Sequence, residues 1–66
     1  MAADLDDIRS SLEAIAEELG DLAIEALRDA IEAGERKRPA AERRLTQARR
    51  SVERAASLLR SEDEMP

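Results

Sequence analysis

The chain has 66 residues, no Cys, His or aromatic residue, and a formal net charge of -5. A chain this short forms one domain at most. Without Cys it has no disulfide, without Cys and His it has no soft zinc site, and without Phe, Tyr or Trp it lacks the largest burials of a typical core. Association with another chain is the supplement that remains for so small a core.

The beginning Met1-Ala2-Ala3-Asp4 is followed closely by Asp6 and Asp7, so no signal peptide is expected. The first half also offers apolar stretches no longer than Leu22-Ala23-Ile24, where a membrane span needs about 20 mostly apolar residues. A cytoplasmic location is the resulting expectation. In the first predicted helix, about residues 4–33, Leu5, Ile8, Leu12, Ile15, Leu19 and Leu22 recur at alternating spacings of 3 and 4. This is a heptad seam. Asp4, Asp6 and Asp7 suit the positive end of its dipole. After Leu22 the pattern changes, because Ile24, Leu27 and Ile31 fall roughly opposite the seam. Either the helix breaks at Gly20-Asp21, or it runs on and Ile24, Leu27 and Ile31 form a second, partner-binding surface or cap the hairpin core near the turn. A continuous helix is the favoured expectation.

Gly34 and Pro39 bracket a turn at about residues 34–38, with Gly suited to the left-handed residue after a helix and Pro to the first position of the next. From Pro39 to about residue 60, Ala41, Leu45, Ala48, Val52, Ala55 and Leu59 carry a second seam, half of it alanine. Residues 61–66 read as an acidic tail. The halves differ in charge: Met1 to Glu35 has a net of -9 and Arg36 to Arg60 a net of +7. Such a match predicts an all-α fold, an antiparallel helical hairpin of acidic helix, turn and basic helix, dimerising into a four-helix bundle. Exposed ion pairs contribute only about 0 to 1 kcal/mol each, so the charges would select partners and orientation more than set stability.

Candidate chemistry is sparse. There is no His, Cys or Tyr for acid-base or covalent work, the single Lys is Lys37 in the turn, and Gly20 and Gly34 stand apart, so no Gly-rich phosphate loop exists. No catalytic residue, cofactor or metal ligand is assigned. Glu17-Glu18-Leu19-Gly20-Asp21 resembles part of the metal motif of the all-alpha nucleotide pyrophosphohydrolases, which implies Mg²⁺ at Glu18 and Asp21. Here the second acidic pair would have to be Asp4 and Asp7 of the same helix, and a solvated acidic face is the favoured reading. Gly20-Asp21-Leu22-x-Ile24-Glu25, then Gly34, Leu45, Ala48 and Val52, is similar in order to the exonuclease VII small subunit, a helical hairpin that assembles on a catalytic chain. That family's early aromatic and its Leu-Glu-x-Gly are missing, and Pro39 stands where the family's pattern has continuous helix. The likeness implies a subunit without chemistry of its own.

Function therefore reads as a non-catalytic interaction or assembly module, a homo-oligomer with a dimer favoured, or an accessory subunit of a larger protein. The alternative is a nucleic-acid accessory protein using Arg43, Arg44, Arg49, Arg50 and Arg54, which the acidic neighbour and the lack of stacking aromatics oppose.

Overall fold

The computed structural model describes residues 4–64, with side chains as far as residue 60. It contains two α-helices, α1 (Leu5–Glu32) and α2 (Ala40–Glu64), packed against each other as a hairpin.

Local chemistry sets the ends of α1. The Asp4 carboxylate accepts the Asp7 N–H at 2.8 Å, and its carbonyl accepts the Ile8 N–H at 3.1 Å. Asp4 is thus a side-chain N-cap, with Asp6 and Asp7 in the first turn as anionic complements to the dipole. α1 passes Gly20 and Asp21 without a break, as the favoured expectation had it. It closes at Gly34, whose φ of +82° lies in the left-handed region. Gly34 N–H donates to the Ile31 carbonyl at 3.0 Å and Glu35 N–H to the Ala30 carbonyl at 2.9 Å. That pair of bonds is a Schellman closure, and Gly34 occupies the position where a Cβ would be strained.

Two boundaries differ from the sequence expectation. Pro39 stands just before α2 instead of opening it, with its carbonyl accepting the Arg43 N–H at 3.2 Å. α2 also runs on to Glu64, through four residues expected as tail. Nothing between Arg60 and Glu64 is a Gly or Pro that would end a helix. Residues 65 and 66 of the expected tail lie outside the described residues.

Alanine makes the contact between the helices. Ala16, Ala23 and Ala30, one heptad apart, are 5 to 7% exposed, and Ala56 and Thr46 are buried opposite them. Leu12, Leu19 and Ala26 on α1, and Leu45, Arg49 and Val52 on α2, are half-buried at the margins. Short side chains at the contact bring the helix axes close together, but they remove little apolar area from water. Gly20 belongs to the same strip, with the Arg49 side chain beside it, and Arg60 meets Glu13 at 3.7 Å farther along. These two cross-helix neighbours fix the antiparallel register. The Cα trace measures 48 × 29 × 12 Å, a slab one helix thick.

Candidate interaction surface

The expected seams do not close on each other inside the hairpin. Leu5, Ile8, Ile15 and Leu22 remain 41 to 48% exposed, while the alanines one position farther along the helix take the contact. The physical reason is rotational. At about 100° per residue, Ile8, Ile15 and Leu22 lie roughly a quarter turn from the line of Ala16, Ala23 and Ala30. Leu45, Val52 and Leu59 are displaced in the same rotational sense from the inward line of Glu42, Arg49 and Ala56, of which Ala56 is buried and the other two half-buried. In antiparallel helices, equal-sense displacements bring both stripes to the same side of the pair.

One broad face of the slab is consequently apolar. α1 contributes Ile8, Leu12, Ile15, Leu19, Leu22 and Ala26; α2 contributes Ala41, Leu45, Ala48, Val52, Ala55 and Leu59. Ala41 and Ala48 are exposed, and Leu45, Val52, Ala55 and Leu59 are half-buried. Leu5 extends the α1 stripe at its N-terminal end. This face is framed by carboxylates along α1, from Asp4 through Glu18 and Glu25 to Asp29, and by Arg44 on α2.

The opposite face is a groove of about 680 Å³ over the alanine strip. Its lining includes Ile24 and Leu27 together with Glu13, Glu17, Asp21, Thr46, Arg49 and Glu53, and no residue of either expected seam. Ile31 continues the Ile24 and Leu27 line towards the turn, and the three are 40 to 64% exposed. Arg49 lies half-buried across Gly20, with its Nε lacking an acceptor among the described residues, as has the Nε of Arg9. Among the described residues no three carboxylates gather as a metal site, and Glu18 and Asp21 are both exposed.

The charge match between the helices is only partly realised as contact. Arg60 reaches Glu13 across the hairpin, whereas Arg9 pairs with Asp6 at 3.7 Å within α1. Arg38 pairs with Glu42, whose carboxylate also accepts the Thr46 hydroxyl at 2.8 Å. Those hydrogen bonds, Arg38 first and Thr46 second, hold the Glu42 carboxyl below its ordinary pKa. Arg44, Arg50 and Arg54 have no ion pair among the described residues. Arg38, Arg43, Arg50 and Arg54 instead line a shallow hollow of about 460 Å³ with Thr46, Gln47 and Ser51 and no carboxylate. The five arginines singled out for nucleic acid are thereby dispersed: Arg43, Arg50 and Arg54 share this hollow, Arg49 lies between the helices, and Arg44 borders the apolar face.

No known protein family, curated protein or solved structure matches the chain.

Sequence reasoning missed the alanine strip because it followed the largest residues. The signal was present in Ala16, Ala23 and Ala30 at heptad spacing, one residue after Ile15 and Leu22 and flanked by Leu12 and Leu19. Two adjacent stripes, one small and one large, run along α1, and the sister helix covers the small one.

Proposed function

We propose that this chain is a non-catalytic assembly module: two copies close their apolar faces on each other as a four-helix bundle, by themselves or as a small accessory subunit of a larger complex. The observation that carries it is the division of labour in the apolar residues. Alanines fill the contact within the hairpin, and Leu and Ile face outward, most of them together on the broad face and Ile24, Leu27 and Ile31 on the groove side. A contiguous apolar face rimmed by charge is the usual mark of a protein interaction site. Its largest residues recur in heptads, the spacing that interlocks with another helix pair. Sedimentation across a concentration series tests this, with dimer expected at low micromolar concentration. A well-folded monomer there would sink the proposal.

A second reading, a nucleic-acid accessory protein, is favoured by Arg43, Arg50 and Arg54, which share a hollow whose lining includes no carboxylate, beside Arg38 already paired with Glu42. Binding of DNA or RNA at low salt, weakening steeply as salt rises, is what it requires.

A further inference from the structure

We propose that the two copies pair about a two-fold axis parallel to the helices, so that α1 of each lies on α2 of the other and both turns sit at the same end. This rests on the assembly reading above and adds the arrangement. Two antiparallel hairpins meeting face to face with full overlap have two symmetric options. With the axis along the helices, acidic α1 stacks on basic α2 of the second copy. With the axis across them, α1 stacks on α1 and α2 on α2.

Charge at the rim of the apolar face separates the options. Arg49 beside Gly20 and Arg60 near Glu13 set the level of each α2 residue against α1. That register puts Arg44 level with residues 25 to 29. An axis along the helices leaves levels unchanged, so the partner's Arg44 arrives between Glu25 and Asp29, the two rim carboxylates nearest it. Arg44 has no ion pair among the described residues to compete for it. An axis across the helices instead brings Glu18 up to the Glu18 of the second copy and Asp29 towards its Asp7. Like charges facing across an interface penalise the wrong register more than a good pair rewards the right one. The parallel axis does crowd two Arg36-Lys37-Arg38 turns at one end. Those side chains are exposed at a tip, where solvent and salt screen them, whereas the rim charges border the desolvated face.

The experiment is an inter-copy distance measured by pulsed electron spin resonance on the full chain with a spin label at Lys37→Cys. Lys37 is exposed in the turn. A distance within about 30 Å is expected, because both turns share an end. A helix of α1's length is about 40 Å long, so a separation beyond that places the turns at opposite ends and overturns the arrangement while leaving the dimer standing. No inter-copy coupling, with a monomer in sedimentation, overturns the assembly reading and the arrangement together. Charge reversal is the second measurement. Arg44→Glu and Asp29→Arg should each weaken the dimer several-fold, and combining them should restore it; a double variant no tighter than the singles overturns the contact.

Discussion

At the scale of single residues, two neighbours on one turn of α1 carry opposite expectations. A Cβ built on Gly20 finds the Arg49 Cδ at 3.4 Å and Nη1 at 3.7 Å, ordinary contacts with the end of a flexible side chain. Gly20→Ala should therefore raise stability by up to about 1 kcal/mol, the helix-propensity difference, read as a higher Tm. Ala23 is 6% exposed between the helices. Ala23→Leu adds volume where two backbones approach, and a loss of about 1 to 3 kcal/mol in chemical denaturation is expected. A gain at position 23 would mean that the hairpin contact is loose. The same two residues mark where sequence reading stops. Gly20 announces itself as a possible break, and only the unbroken ladder of α1 shows the break unused. Ala23 is apolar but small, and a pattern weighted by size passes over it.

At the scale of elements, the helices were largely legible, since their signals are local. Asp4 caps, Gly34 turns left-handed, and periodic Leu and Ile run between them. What sequence alone left open was which stripe faces the sister helix. That depends on how closely two backbones settle, a property of neither helix by itself. The start of α2 carries its own test. Glu42 binds Arg38 and the Thr46 hydroxyl, and its pKa is lowered accordingly. A carboxyl with a depressed folded-state pKa contributes stability above its unfolded pKa and loses it as the pH falls through the folded value. Acidification through the range just below the ordinary glutamate pKa should thus fray the first turn of α2. An NMR titration of the Glu42 side-chain carbon checks it: a midpoint at or above that of a glutamate in a short peptide would remove the effect.

At the scale of the whole molecule, the two faces of the slab separate assembly from folding. Ile15 lies on the broad apolar face and Ile24 on the groove side, with similar exposure in the single chain. Ile15→Asp would bury a charge in the proposed bundle interior and should shift sedimentation from dimer to monomer. Ile24→Asp stays at the outer surface and should leave the dimer intact, unless the line of Ile24, Leu27 and Ile31 is itself the self-association surface, in which case the pattern inverts. The sequence had named both stripes, but it cast the larger as the seam of the hairpin and the smaller as the contact for others. Their placement on opposite faces came from the antiparallel register, which links residues 29 and 47 positions apart.

The alanine strip has a consequence for how such a chain would age in solution. In a slab one helix thick, with alanine as its inner layer, no amide lies deeper than a single helix from water, and local opening meets little resistance. Hydrogen exchange in the lone chain would then be fast nearly everywhere. In the proposed dimer, protection would rise as copies find each other, so dilution would act on this molecule as a denaturant acts on others.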